Sequence, residues 1–218
     1  TMTEWEKMQA GEIYNDFDQD LFNRRVYAKK LFYAYNHTGD CDVQKRKDIM
    51  RQLFKSVGEN VWIEPDFRCE FGKNISIGNN VYINFGCIIL DCGQVSIGDN
   101  TLIGPNVGIF TGNHAIDAQE RVDGGLIPKP VCIGKRVWIC GNVSIVPGVC
   151  IGDDSVLVLQ PEVVCGPVRL AYVLIGAVLL HDEDRYAQPV DLVQLVSAQL
   201  GEVLHDQFHV SFRSRWCS

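Results

Sequence analysis

Hydrophobic and polar positions recur with a period of six in the middle of the chain, from about residue 57 to 155. An aliphatic residue opens each unit, Gly, Asn and Asp are frequent in the next positions, and the fifth residue is often small or β-branched. The units are 57–62, 63–68, 77–82, 83–88, 97–102, 103–108, 133–138, 139–144, 145–150 and 151–156. A fixed short period is typical of a stacked-coil solenoid. The pattern predicts a parallel β-helix whose first positions point inward and whose Gly, Asn and Asp residues turn the corners in left-handed conformations.

The first 55 residues have helical patterns instead. Thr3 and Glu6 have the spacing of a capping box, and Asp18 is placed to cap a second helix. A third helix from about 43 to 55 has one apolar stripe. We therefore expect a helical cap over residues 1–56 that covers the open edge of the first coil. The β-helix then occupies 57–156, and a divergent tail follows over 157–218.

The six-residue rhythm breaks once, between about residues 111 and 130, and resumes at Val131. An irregular segment of this length inside a compact repeat is usually functional. It carries His114, which alone among the histidines lies inside or beside the repeat. The sequence thus offers His114 as a candidate catalytic residue, although a single histidine also fits a structural role.

Composition narrows the functional classes. The formal net charge is −7 and Lys and Arg form no clusters, which argues against nucleic acid as a partner. No apolar run is long enough for a membrane span, and the amino terminus lacks a signal-peptide pattern. The nine cysteines are scattered without a Cys-x-x-Cys pair, so we expect a reducing cytoplasm and no metal site.

Several motifs together resemble one known family. They are Met8–Tyr14, Arg24–Arg25, Ala28–Leu31, Tyr35–His37, Tyr82–Phe85, Ile89–Asp91, Ile103–Val107, the His114 loop and Val137–Ile139. The combination resembles the maltose/galactoside O-acetyltransferases among the hexapeptide-repeat acyltransferases, over roughly residues 4–156. The resemblance implies a left-handed parallel β-helix and a homotrimer with active sites between subunits. It also implies direct transfer of acetyl from acetyl-CoA to a hydroxyl of a maltose-, glucose- or galactoside-type sugar.

The same resemblance implies a role for each matching residue. His114 would be the general base, Asn84 would help position the acceptor, and the Gly141 N–H would stabilise the oxyanion. The implied acceptor-binding residues are Asp16, Arg25, Tyr82, Asp91 and Leu126. Trp138 and Gly141 would contact the coenzyme. Without the resemblance, these residues also fit corner turns, helix-face charges and subunit contacts.

The carboxyl end departs from the family. After Ser155 the hexad pattern is lost, and neither a lysine after Lys135 nor an asparagine after Asn142 occurs. The abrupt change in composition suggests a shifted reading frame, with a genuine divergent tail as the alternative. The tail still has patterns for a strand at 173–180 and a helix at 190–204. Loss of the family's terminal segment would weaken acetyl-CoA binding.

Other functional classes stay open at this level. One is a catalytically impaired trimeric scaffold or binding protein. Another is an acetyltransferase for a different acceptor, such as an amino sugar, an antibiotic or serine. A β-helical carbonic anhydrase relative is disfavoured, because a zinc site needs several histidines and only His114 lies in the solenoid region.

Overall fold

The computed structural model describes residues 1–158 and the short strand Leu170–Tyr172. The strand and helix predicted for 173–180 and 190–204, and most of the tail attributed to a shifted frame, lie outside the described residues. The chain divides into two compact units, Thr1–Ala171 and Tyr172–Ser218. Apart from Tyr172, the last residue of that short strand, all features below belong to the first unit.

Four helices are described: α1 (Glu4–Ala10), α2 (Gln19–Asn36), α3 (Val43–Leu53) and α4 (Ala118–Val122). The capping box of Thr3 and Glu6 is formed, and the Asp18 side chain accepts from two N–H groups of α2 as predicted. Helix α3 ends before the predicted boundary because Phe54 is already extended. In the described part of the chain, no helix has the length and apolar content to cross a membrane.

The strands are short. They are β1 (Tyr14–Asn15), β2 (Ser56–Val57), β3 (Trp62–Ile63), β4 (Arg68–Cys69), β5 (Ile75–Ile77), β6 (Tyr82–Ile83), β7 (Ile88–Leu90), β8 (Val95–Ile97), β9 (Leu102–Ile103), β10 (Gly108–Phe110), β11 (Gly112–His114), β12 (Gly125–Pro128), β13 (Val131–Ile133), β14 (Trp138–Ile139), β15 (Ser144–Ile145), β16 (Cys150–Ile151), β17 (Val156–Val158) and β18 (Leu170–Tyr172). Their brevity follows from the repeat, since each hexad supplies one strand and one corner.

Three parallel sheets form the walls of the solenoid. Face 1 has the order β2-β5-β8-β13-β16, face 2 contains β3-β6-β9-β14-β17, and face 3 has the order β4-β7-β10-β15. The chain visits face 1, face 2 and face 3 in turn, so every coil stacks on the previous one. The predicted parallel β-helix is confirmed.

An aliphatic column fills the interior behind each face. On face 2, the register aligns Ile63, Ile83, Ile103, Ile139 and Leu157. All five are at most 2% exposed. Burying such a side chain contributes roughly 1.5–3 kcal/mol, so the first hexad position carries much of the stability of the coil.

The corners correct one detail of the prediction. The fourth hexad residue is left-handed, with φ between 54° and 62° at Asn60, Asn80, Asn100, Asn106, Arg136, Asn142 and Asp154. The glycine at the second position does not share this conformation. It is required by close stacking, because a Cβ on Gly78 would lie 2.5 Å from Oδ1 of Asp99 in the next coil. At a second position stacked in this way, glycine is therefore required because no side chain fits there. The fourth position instead favours residues that tolerate a left-handed backbone conformation.

The helical cap contacts the edge of the first coil. The Ile63 carbonyl accepts hydrogen bonds from the Tyr35 hydroxyl at 2.7 Å and from Arg46 Nη2 at 3.0 Å. Arg46 is almost completely buried and also lies over the rings of Tyr35 and Trp62. The two hydrogen bonds satisfy a backbone carbonyl that would otherwise be open to pairing with another strand.

Replacing Arg46 by Met should lower the free energy of unfolding by about 2 kcal/mol, because a buried hydrogen bond and two cation–π contacts are lost. Arg51 provides a matched control on the same helix. Its side chain is 57% exposed and pairs with Asp48, so Arg51→Met should change stability by less than about 0.5 kcal/mol. Urea unfolding would measure both variants, and equal effects would contradict the docking role of Arg46.

Candidate active site

The irregular segment of about residues 111–130, which we call the extruded loop, is joined to the helical cap by a small antiparallel sheet. We call this sheet the site sheet. It has the order β1-β12-β11 and aligns Tyr14 with Leu126 and Leu126 with His114. Beyond β1, the Asp16 N–H donates to the Gly124 carbonyl at 2.9 Å. The loop and the cap therefore form one structure beside the corner between faces 3 and 1.

The rest of the loop is held by local contacts. The Asp117 side chain caps α4, and Arg121 Nη1 donates to the carbonyls of Ala115 and Ile116, each at 2.9 Å. His114 closes β11, and its side chain is exposed. A histidine on a hydrogen-bonded strand with an open side chain can meet a ligand without a large rearrangement.

Leu126 belongs to the middle strand, β12, and its side chain packs beneath the site sheet. It is 5% exposed and belongs to an apolar cluster, whose other members are Met8, Tyr14, Leu21, Phe71 and Cys92. The family resemblance implied that Leu126 forms an apolar wall of the acceptor pocket. In the structure its side chain packs in this cluster, and it therefore supports the strand that carries His114.

A carboxylate–guanidinium cluster lies where the cap meets the solenoid. Arg25 Nη2 donates to Asp16 Oδ1, Nε donates to Glu70 Oε1, and Nη1 donates to the Asp16 carbonyl at 3.0 Å. Burial disfavours the charge on Arg25, but the two carboxylates outweigh it, so the pKa of Arg25 is raised. Asp16 and Arg25 were predicted from the sequence, whereas Glu70 was not.

These residues line an open cleft of about 450 Å³. Its lining consists of Asp16, Phe17, Gln19, Phe22, Arg25 and Glu70. Phe17 and Phe22 are 72% and 56% exposed, which is unusual for large apolar side chains. A cleft that combines carboxylates with aromatic rings suits a ligand having both hydroxyl groups and apolar C–H faces.

Asp91 lies behind the cleft and does not line it. Its side chain is fully buried and accepts N–H bonds from Glu70 and Phe71 at 3.0 and 2.8 Å, and from Asn74 at 3.2 Å. The family resemblance implied that Asp91 is one of the acceptor-binding residues. Its burial instead gives it the geometry of a positioning residue, because it holds the backbone of Glu70.

Burial raises the pKa of the Asp91 carboxyl from an ordinary 3.8 to about 7, although its N–H donors favour the ionised form. At a pH between these two pKa values, the native protein then binds one more proton than the unfolded chain. Stability should therefore fall as the pH rises from about 4 to about 7 and level off above that. Each unit of pKa difference corresponds to ~1.4 kcal/mol, so the fall attributable to Asp91 is a few kcal/mol.

The Asp91→Asn variant should lack this pH dependence while losing roughly 1–2 kcal/mol at the acid end, because the amide nitrogen cannot accept from the Asn74 N–H. Urea unfolding across this pH range would measure it. The carboxyls with lowered pKa values, Glu4, Glu6, Asp99 and Asp154, act in the opposite direction and at lower pH. An unchanged slope in the variant would contradict the assignment to Asp91.

The remaining predicted residues lie on face 2 and at the corner between faces 2 and 3. Tyr82 and Trp138 point outward from face 2, and the Tyr82 hydroxyl donates to Glu64 Oε1 at 3.0 Å. Asn84 is half-buried, and its Oδ1 accepts from the Phe85 N–H at 2.8 Å. This corner follows face 2, whereas the site sheet follows face 3. Within one chain, the predicted site residues therefore form two groups on different corners.

Gly141 occupies the third position of its hexad at the corner between faces 2 and 3. The flanking N–H groups of Cys140 and Asn142 donate to the carbonyls of Leu157 and Pro105. In the part of the chain that the structure describes, no group accepts from the Gly141 N–H. An N–H donor that no described residue uses, at a fixed corner, has the properties needed to stabilise a developing oxyanion.

No metal centre is built from the described residues, since none of their His, Cys, Asp and Glu side chains form a group of three or more. The chemistry available is that of a histidine, backbone donors and carboxylates. This set is typical of acyl transfer by direct attack.

Known proteins share this architecture. Residues 7–58 match the family model of the maltose acetyltransferase hexapeptide capping motif. The galactoside O-acetyltransferase of Escherichia coli K12 is 41% identical over 152 residues, which cover 70% of this chain and 75% of that protein. The solved maltose O-acetyltransferase of Clostridium difficile 630 is 43% identical with a TM-score of 0.72, covering 79% of this chain and 93% of the other. A hexapeptide-repeat acetyltransferase of Vibrio cholerae, solved with acetyl coenzyme A, is 38% identical with a TM-score of 0.66, covering 72% and 85%.

The fold and these relatives define a hexapeptide-repeat acetyltransferase. More narrowly, the chain belongs to the maltose/galactoside O-acetyltransferase family. The family, the β-helical fold class and the acetyltransferase activity predicted from the sequence are thereby confirmed.

Proposed function

We propose that the protein transfers the acetyl group of acetyl-CoA to a hydroxyl group of a sugar, with His114 as general base. The imidazole takes the hydroxyl proton as the oxygen attacks the thioester carbonyl carbon. The C–S bond then breaks, and coenzyme A leaves with the proton as a free thiol. The observation that carries the proposal is the site sheet, which joins the exposed His114 to the same cap that forms the carboxylate cleft.

The cleft of Asp16, Arg25 and Glu70 is the proposed acceptor site. Carboxylates accept hydrogen bonds from hydroxyl groups, and such charge-assisted bonds are stronger than neutral ones. Asp16 lies directly beyond β1, so the site sheet sets its position relative to His114. Asp91 would act through the backbone of Glu70 and not by touching the sugar.

A homotrimer with active sites between subunits is the second part of the proposal. A single chain holds His114 and the cleft at one corner, and Asn84 and Gly141 at another. On face 2, Tyr82, Leu102 and Trp138 align outward, and the last two are 50% and 49% exposed. An exposed apolar column of this kind supports a subunit contact. Neighbouring subunits would then bring the two groups of residues together.

Acetyl-CoA is the proposed donor, as in the Vibrio cholerae relative solved with it. Trp138 offers an aromatic surface for the coenzyme, and the Gly141 N–H would stabilise the thioester oxygen during attack. The part of the coenzyme site that falls in the tail lies outside the described residues.

The test is acceptor-dependent release of free thiol from acetyl-CoA, measured with maltose, glucose, a galactoside and no acceptor. Release that requires a sugar, together with mass-spectrometric detection of the O-acetylated sugar, is the expected result. A trimer that binds acetyl-CoA but acetylates none of these sugars would instead favour another acceptor. A trimer that binds neither donor nor sugar would favour the scaffold alternative.

A further inference from the structure

The acceptor cleft has an unbalanced charge. Its charged lining groups are the two carboxylates of Asp16 and Glu70 and the one guanidinium of Arg25, whereas its other lining residues are neutral. Two negative charges and one positive charge leave a net charge of −1 in a partly desolvated pocket. Uncharged hydroxyl groups alone do not require this excess.

The guanidinium is also less available to a ligand than the carboxylates are. Arg25 directs three of its nitrogens at Asp16 and Glu70. Its side chain is 13% exposed, compared with 25% for each carboxylate. Among the described residues, no donor reaches Asp16 Oδ2 or Glu70 Oε2. The cleft therefore presents two carboxylate oxygens that can accept hydrogen bonds, while its cation faces inward.

The geometry points to an amino sugar, a sugar bearing a protonated primary amine, as the preferred acceptor class of this cleft. An ammonium group is a compact charge with three donors, which suits it to open carboxylate oxygens such as those of Asp16 and Glu70. The exposed faces of Phe17 and Phe22 add favourable cation–π contact for the same group. This inference rests on the proposed function and specifies its acceptor.

The acetyl group is still transferred to a hydroxyl oxygen of the amino sugar and not to its nitrogen. A protonated amine has no free electron pair, so it cannot attack the thioester, and the acetyl group passes to a neighbouring hydroxyl. His114 takes the proton of that hydroxyl, the new C–O ester bond forms, and the coenzyme leaves as its thiol. The ammonium group serves only to hold the sugar against the cap.

Calorimetric titration with glucosamine, glucose and N-acetylglucosamine at about pH 7, where most primary amines of this kind are charged, tests the inference without acetyl-CoA. Glucosamine should bind about fivefold to tenfold more tightly than either neutral sugar, and added salt should reduce the difference. Glu70→Gln keeps an acceptor for Arg25 Nε but removes the excess charge, and it should abolish the preference. Glu12→Gln, which removes an exposed carboxylate elsewhere on the cap, should retain it.

Kinetics complete the test. The ratio of kcat/KM for glucosamine to that for glucose should follow the binding ratio, with O-acetylglucosamine as the product. Equal binding of the charged and neutral sugars would overturn the inference, as would a preference that persists in Glu70→Gln. Failure to acetylate any sugar, despite selective glucosamine binding, would instead count against the proposed transfer reaction.

Discussion

His114→Ala should lower kcat for acetyl transfer by about a hundredfold to ten-thousandfold, the range that general base catalysis typically supplies. The side chain is exposed at the end of β11, so its removal leaves no cavity and should not disturb the fold. Oligomeric state and acetyl-CoA affinity should stay unchanged. Steady-state kinetics with a saturating acceptor, together with a direct binding measurement for acetyl-CoA, would separate the loss of chemistry from a loss of binding.

His37→Ala is the matched control. His37 is also exposed, its ring stacks on Tyr33 with its Nδ1 near the Tyr33 carbonyl, and it is not part of the site sheet. Its removal should leave kcat within about twofold of the wild-type value. If His114→Ala retained full turnover, the assignment of the general base would be wrong.

Gly141→Pro should lower kcat by about a hundredfold to a thousandfold, because proline has no N–H to stabilise the oxyanion. Proline is compatible with this hexad position. Pro65 and Pro105 occupy the same position at the same corner, and Pro147 occupies it in another hexad. The substitution thus removes a donor that no described residue uses, and it preserves the donors on either side.

The Gly141→Ala variant distinguishes the effect of losing the N–H from the effect of adding a side chain. A Cβ at this position would lie 3.3 Å from the ring of Pro105, a close contact that a small shift relieves, and the N–H is retained. Turnover in this variant should stay within about tenfold of wild type, with thermal unfolding confirming that both variants fold. Equal losses in the Pro and Ala variants would indicate steric damage and would exclude the N–H as the important group.

The solenoid could be predicted because its determinants are local. An inward aliphatic residue, a frequent Asn at the fourth position and a fifth residue that is often small or β-branched recur with the six-residue period, so single-residue preferences accumulate over ten units. The second-position glycine was misassigned for the opposite reason. Its requirement comes from the coil stacked above, as the contact between Gly78 and Asp99 shows, and a linear pattern does not contain that neighbour.

The candidate site was only partly predictable for similar reasons. Glu70 follows an inward cysteine between two of the six-residue units, and nothing in its local sequence marks it. Its partner Arg25 lies 45 positions away on the cap, and the two meet only when the cap docks. Asp91 was singled out from the sequence, but its burial and its bond from the Phe71 N–H depend on the surrounding corner, which the local sequence does not contain.

The site sheet has a consequence for how the protein is made. Its middle strand, β12, emerges from the ribosome more than a hundred residues after the strand β1 that it must join. The cap and the early coils consist of contacts that are closer in sequence and can form during synthesis. A partly synthesised chain can thus build much of its scaffold while the cleft still lacks the support of the loop. Under the proposed function, acceptor binding would then be acquired late in synthesis, once β12 pairs with β1.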